Sequence, residues 1–398
     1  MHWVDADWKM QRVLLDIGDL GTSATAAVIG DLWETQIKLW DLKKENLVSC
    51  VVDGAANYQA ASKNHVTYNV WCHCHKLHLL AKEILCHPRV VLLYQKSKKI
   101  AKYLNKSRVS SAKLESPISQ PGETRWNSAH KLFTTLIKNQ EKIPDALVES
   151  KIAPFEDTDW TTIYFLEKIL GQIAVCLRQL EADKVVTINL VLPLICQLKK
   201  KWSFELTKSL SFKPLMEAAI QHLNARFNFN VDNLIADSNT YLILGAFLDP
   251  RFMDLIFVEN VTDRANLFDY CKNCVSTCST TLKDSDTLDE LQDFLFESGD
   301  MVIDSEIVRY LQMKMPSTNR LDLLEWWKVR ALQLPTLARL ARRVFSIPAS
   351  SAPSERVFSR SNLIVSNLRS RLTSERAKQL TYISMNHCLV KVDEVLDW

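Results

Sequence analysis

The sequence predicts an α/β layer joined to a large all-helical block, with a helical return at the end of the chain. Three observations predict it. A short valine-rich run, LVSCVV, lies between two helical stretches near the start, as strands of an α/β layer do. From about Pro144 to Met315 the apolar residues recur at helical spacing and no strand pattern is found. From Leu321 onward the chain is again helical and apolar-striped, broken at SIPASSAPSE. The predicted domains are therefore 1–143, 144–315 and 316–398.

The first elements follow in order. VDADWKMQRVLLDI alternates and then turns apolar, which predicts a hairpin over residues 3 to 17, closed by the turn-rich GDLGTS. Ala27, Ile29, Leu32, Ile37, Leu39 and Leu42 form an approximate helical stripe between Ala24 and Leu42. After the LVSCVV strand, a helix starts near Ala55. Within the helical block, WTTIYFLEKILGQIAVCLRQL, TINLVLPLICQLKKKW, PLMEAAIQHLNARF and NLFDYCKNCVSTCSTTL all read as helices. DSDTLDELQDFLFESGD is acidic and fits a loop or a surface helix.

Composition narrows the class. A chain of 398 residues, 47% hydrophobic and 24% charged, is in the ordinary globular range. No uninterrupted apolar run is long enough to span a bilayer, so no membrane partner is expected. The opening MHWVDADWKMQ lacks a secretory pattern. Ten irregularly spaced cysteines then read as reduced intracellular thiols. Charge is uneven. Lys328 to Lys378 holds eleven Lys or Arg against two acids, and Lys283 to Glu306 holds nine acids against one lysine. A basic tract of this kind suits DNA, a solvated helix face or half of an interface.

Asp53 ends the LVSCVV run. A carboxylate at the carboxyl end of a central strand occupies the edge where α/β folds place sites. The same residue could equally cap the helix that follows. In CHCHKLH, Cys72, His73, Cys74, His75 and His78 crowd one short segment. That spacing is poor for a closed four-ligand zinc site, and a helix packing Leu77, Leu79 and Leu80 inward explains it as well. Cys271, Cys274 and Cys278 share one helix face and read as core.

VVDGAANYQAA, VWCHCHKLHLLAKEIL, ETRWNSAHKLF, LVLPLICQL, AFLDPRF and the closing WWKVRALQLPTLARLARRVFSIPASSAPSERVFSRSNLIVSNLRSRLTSERAKQLTYI follow one another in this order. The succession resembles the hAT superfamily of DNA transposases, especially domesticated relatives with a BED zinc finger. The last stretch resembles the hAT C-terminal dimerisation region.

That resemblance implies an RNase H-like core interrupted by a large helical insertion. It implies a site of two Asp and one Glu that hold divalent ions for strand cleavage and transfer. Asp53 corresponds to the second Asp, and Glu355 in SAPSERVF to the Glu. Read alone, Glu355 could simply open a helix favoured by its dipole. The first Asp should precede a hairpin such as HWVDADWKM, which here begins at His2. The expectation is therefore an incomplete core without the first Asp or the finger. Asp5, Asp7, Asp16 and Asp19 lie nearby, and Asp16 is out of register for a substitute.

Two carboxylates hold Mg²⁺ only weakly, so Asp53 and Glu355 are expected to be vestigial, with no cofactor required. Cys72 and His75 match a C-x-x-H element of the family and are a second, weaker metal candidate. By the same resemblance Trp126 stacks on an unpaired base and Arg125 reaches a phosphate. The residue-level alternative for Trp126 is a core position. Trp326, Trp327, Leu334, Leu337, Phe345, Phe358, Leu363, Ile364, Leu372 and Leu380 supply large apolar area that must partly close the chain's own core; the resemblance implies that it also builds a homodimer interface.

The expected function is that of an inactive, transposase-derived nuclear protein. It would act through dimerisation with itself or related hAT proteins and would associate with DNA or chromatin, with no small-molecule substrate. Two rivals are an active Mg²⁺-dependent transposase whose first Asp and finger lie outside this sequence, and a protein-interaction scaffold that binds no nucleic acid.

Overall fold

The computed structural model describes residues 1–18, 24–65, 69–122, 127–235, 239–281, 299–313, 321–365 and 372–386. They are predominantly helical, with short strands paired in twos. The chain forms two compact units. One gathers Met1–His73, Leu180–Pro193 and the chain from Phe229 onward; the other gathers Cys74–Gln179 and Leu194–Asn228.

The first unit opens with strands β1 (His2–Val4) and β2 (Met10–Arg12), paired antiparallel. Asp5 closes the turn by accepting from the Lys9 amide at 2.8 Å and from Gln11 Nε2 at 2.7 Å. The hairpin is shorter than the predicted 3 to 17. Val13 continues the pairing, exchanging backbone bonds with Met1 at 3.0 and 2.7 Å, and Leu14 then pairs with a side chain instead of a strand. Asn386 Oδ1 accepts from the Leu14 amide, and Asn386 Nδ2 donates to the Leu14 carbonyl, both at 2.9 Å. One amide side chain thus satisfies both backbone groups of a residue, as a neighbouring strand would. Asp16 is likewise committed, to Gln36 and to Lys378. Asp7 is exposed in the turn, and Asp19 lies outside the described residues.

Helix α1 (Ala26–Leu39) is capped by Thr25, whose side chain accepts from the Val28 amide at 3.3 Å. Strand β3 (Cys50–Val52), helix α2 (Ala56–His65) and strand β4 (Asn69–Trp71) form a parallel strand–helix–strand unit, with Val52 opposite Trp71. Among the described residues this pair and the β1–β2 pair share no strand. The expected layer is therefore reduced to two small sheets.

Helices α3 (His73–Cys86), α4 (Pro88–Lys106), α5 (Arg108–Ala112), α6 (Ser128–Lys138), α7 (Ile143–Leu147), α8 (Asp157–Leu180), α9 (Val191–Lys208) and α10 (Lys213–Phe227) follow. In the second unit Phe133, Leu166 and Trp202 are fully buried. Arg226 grips the Glu83 carboxylate with two hydrogen bonds, at 2.9 and 2.5 Å.

The remaining helices belong to the first unit: α11 (Val231–Ile235), α12 (Thr240–Phe247), α13 (Val261–Thr281), α14 (Gly299–Gln312), α15 (Leu323–Arg330), α16 (Pro335–Phe345), α17 (Ala352–Ile364) and α18 (Ser374–Asn386). Proline at the start of α16 suits a first turn whose N–H groups have no helical partner. The buried Glu306 carboxylate accepts from two of those amides, Thr336 at 3.2 Å and Leu337 at 3.0 Å. Negative charge at this end also suits the helix dipole.

The core of this unit is aromatic. Phe247, Tyr310, Trp327 and Phe345 are fully buried. Trp327 Nε1 donates to the Leu248 carbonyl at 3.0 Å, and the Tyr310 hydroxyl donates to the Phe247 carbonyl at 2.7 Å. Both acceptors lie at the end of α12, where carbonyls lose their helical partners. Asp249, in the LDPRF segment, is wholly buried and fully paired. It accepts from Asn189 Nδ2 at 2.6 Å and from the Arg251 guanidinium at 2.6 to 3.2 Å.

Candidate functional site

The carboxyl end of β3 carries the first site residue. Val52 is buried, and its carbonyl accepts from the Cys72 amide at 2.8 Å, extending the parallel pairing by one bond. Asp53 follows, half-buried. Its Oδ1 accepts from the Ala55 amide at 3.0 Å, shaping the turn that launches α2. Ala55 itself occupies the capping position, since its carbonyl accepts from Gln59. Asp53 thus does the local backbone work expected of an Asx turn. Among the described residues its Oδ2 takes no hydrogen bond.

Glu355 stands in the first turn of α17. The segment before it is stitched down by bonds to residues far away in sequence. His73 N donates to the Ala349 carbonyl, Ala349 N to Thr187 Oγ1, the Ser350 hydroxyl to the Leu180 carbonyl, and Ser351 N to the Cys72 sulfur. These bonds bring α17 toward the β3–β4 edge. Glu355 then responds to its surroundings. Burial, the Glu181 carboxylate and the Asp53 carboxylate together push its pKa up to about 7, while Arg356 opposes the shift. Burial and the Asp53 charge also raise the Tyr58 phenol.

Glu181 has no signal in the sequence. It sits just past the end of α8, 174 positions before Glu355, and only folding makes the two neighbours. Arg356 balances this acidic corner. It pairs with Asp183 at 3.2 Å and donates to the Glu181 carbonyl, and Arg12 pairs with Asp183 as well. Among the described residues no three His, Cys, Asp or Glu side chains lie close enough to share a metal ion.

The other candidates are placed as follows. Cys72 is buried, with its sulfur accepting from the Ser351 amide at 3.3 Å. His75 lies half-buried in the first turn of α3. Cys271 is buried, and burial raises its thiol well above the ordinary value. Arg125 and Trp126 lie outside the described residues.

The C-terminal apolar set divides in two. Trp326, Trp327, Leu334, Leu337 and Phe345 are buried in the first unit's own core. Trp327 is stacked on Tyr310 with centroids 5.6 Å apart, and Trp326 meets Trp327 edge-on at 5.1 Å. Phe358, Leu363 and Leu380 instead stand 59%, 69% and 41% exposed. Leu363, Ile364 and Leu380 line an open groove of about 330 Å³ between α17 and α18, closed at one side by a 2.8 Å bond from Arg360 Nε to the Ser384 hydroxyl. Leu372, ahead of α18, is half-exposed.

Residues 306–386, which hold the capping Glu306, the tryptophan pair, Glu355 and this groove, match the hAT family C-terminal dimerisation region. The chain carries that hAT region. Over 440 aligned residues it is 24% identical to a Zea mays protein bearing the AC transposase name, covering 96% of this chain and 53% of that one. It is 20% identical to the zinc finger BED domain-containing protein RICESLEEPER 3 of Oryza sativa subsp. japonica, over 89% of this chain and 53% of the relative. A stretch of 53 residues is 42% identical to the Hobo transposase of Drosophila melanogaster. The chain thus resembles hAT transposases over nearly its whole length and spans about half the length of these plant relatives. No described helix is long and apolar enough to cross a membrane.

Proposed function

We propose that this chain is a transposase-derived, nuclear, DNA-associated protein that works by pairing with a second copy or a related hAT protein. The observation that carries the reading is the division of the hAT region. Its tryptophans complete the chain's own core, Leu363 and Leu380 remain on the surface along a groove, and Phe358 is exposed elsewhere on α17. Exposed apolar area gathered in one place is the usual mark of a protein contact. The test is the solution mass by light scattering, beside a Leu363→Glu/Leu380→Glu variant. Both side chains are exposed, so the variant keeps its fold. The expected result is a dimer that becomes a well-folded monomer. A wild-type monomer at every concentration overturns the reading.

The remnant of an RNase H-like core around β3, α2 and α17 is proposed to be catalytically silent. Its support is the ligand set: among the described residues no third His, Cys, Asp or Glu side chain lies close enough to share an ion with Asp53 and Glu355, and two carboxylates hold Mg²⁺ only weakly. The rival reading, metal-dependent strand cleavage, is favoured by the Asp53 charge acting on Glu355. A labelled duplex incubated with the chain and Mg²⁺ separates the two. Cleavage abolished by Asp53→Asn supports the rival.

A further inference from the structure

Helix α4 carries charge that the carboxylate corner does not explain. From Pro88 to Leu114 the chain has eight Lys or Arg and no Asp or Glu. The helix is strongly two-sided. Val90, Leu93, Ser97, Ile100, Ala101 and Leu104 are buried. Lys98, Lys99, Lys102 and Lys106 are exposed. At 3.6 residues per turn these four lysines fall within a sector about 100° wide, opposite the buried face. Arg108 continues the exposed run at the start of α5.

The lysines of the ridge differ from their neighbour Lys96. Lys96 is tied to Asp159 at 2.7 Å. No carboxylate lies within salt-bridge distance of Lys98, Lys99, Lys102, Lys106 or Arg108 among the described residues, and Lys98 rests only over the Tyr94 ring, 4.8 Å from its centroid. Four like charges at helical-neighbour spacing repel one another. A helix that keeps them together without acids is built for an external polyanion.

We infer that the exposed face of α4, extended by Arg108, is a binding surface for the phosphate backbone of double-stranded DNA. This rests on the DNA-associated reading above and assigns it a place. Lys98 to Lys106 spans about 12 Å of helix axis, comparable with the width of a DNA major groove. Duplex DNA presents one negative charge per about 1.7 Å of its axis, so several phosphates lie within reach. Lysine ammonium groups that meet phosphates as point charges carry no sequence information through that contact.

The test uses the full chain and two labelled 30-base-pair duplexes of unrelated sequence, titrated across a range of salt. A Lys98→Gln/Lys99→Gln/Lys102→Gln/Lys106→Gln variant is compared with a control that loses equal charge at exposed sites elsewhere, Lys38→Gln/Lys43→Gln/Lys142→Gln/Lys184→Gln. Both must melt with the wild type. The expected result is equal wild-type affinity for the two duplexes and at least about a tenfold loss in the ridge variant. Its log–log salt slope should fall by about 0.9 for each phosphate contact removed, while the control stays near wild type. DNA binding that persists in the ridge variant with an unchanged slope overturns the assignment and leaves the DNA-associated reading standing. Failure of the wild type to bind either duplex at low salt overturns both. A ridge variant that falls from dimer to monomer in light scattering places α4 in a protein interface and also overturns the assignment.

Discussion

Glu355 and Asp53 lie 302 positions apart in sequence, yet the Asp53 charge acts on Glu355 across the end of β3. Burial is the largest influence on Glu355, followed by Glu181 and then Asp53, and its proton is held to about pH 7 from an ordinary value of 4.5. The folded chain therefore binds this proton more tightly than the unfolded chain does. Stability is unaffected below the ordinary value, falls as pH rises from 4.5 to about 7, and stays reduced above that.

Replacing Glu355 by Gln should remove this penalty. We expect a gain of about 1 kcal/mol at pH 8 and no gain at pH 4.5, the figure being reduced because water screens a half-buried side chain. Urea midpoints at the two pH values check it. Equal effects at both would mean that Glu355 does not titrate in this range.

Trp327→Ala should cost about 3–5 kcal/mol. It empties the largest part of the aromatic core and leaves the Leu248 carbonyl without its donor. Leu363→Glu should cost under about 0.5 kcal/mol, because its side chain already meets water. Chemical unfolding of the two variants distinguishes core from surface. A Trp327 variant of wild-type stability would refute the packing described above.

Asp249→Ala should destabilise by about 3 kcal/mol or more, since it strands the Arg251 guanidinium and the Asn189 amide beside a buried cavity. The same unfolding measurement tests this. A shift below about 1 kcal/mol would show that the LDPRF network does not hold the fold.

Gly245→Ala probes a close approach. A methyl group there would meet Ile188 Cγ2 at 3.2 Å and the Asn189 backbone nitrogen at 3.3 Å. Backbone yields less readily than a side chain, so a loss of about 1–3 kcal/mol is expected. Thermal melting at fixed pH measures it.

Much of this was readable in the sequence. LVSCVV followed by Asp53 marked a strand with a charged tip, and both are there. The helical stripes after Pro144 became helices because their periodicity comes from burial, which any folded state must satisfy. VLLDI misled for a definite reason. Alternation and apolarity reveal an extended segment, and they cannot say that the strand pairing stops at Val13 and that the side-chain amide of Asn386 serves Leu14. Nor could apolar spacing separate Trp327 from Leu363. Both lie on striped helices, and only the packing of α12 and α14 against the tryptophan decides which is covered. Glu181 stayed hidden because nothing local distinguishes it from any charge at the end of a helix. Lys98 to Lys106 lie inside an ordinary amphipathic pattern, and their importance depends on the absence of partners in space.

The stitched segment before α17 also sets a clock. Ser351 reaches back 279 positions to Cys72, and Ser350 reaches back 170 to Leu180. A ribosome adding about 5–20 residues per second needs roughly fifteen seconds to a minute to deliver Ser351 after Cys72. During that interval the edge beside Asp53 is already synthesised and still uncovered. The first unit can close only once Ser351 has followed Cys72 out of the ribosome, so the β3–β4 edge must stay in solution through that interval without its cover.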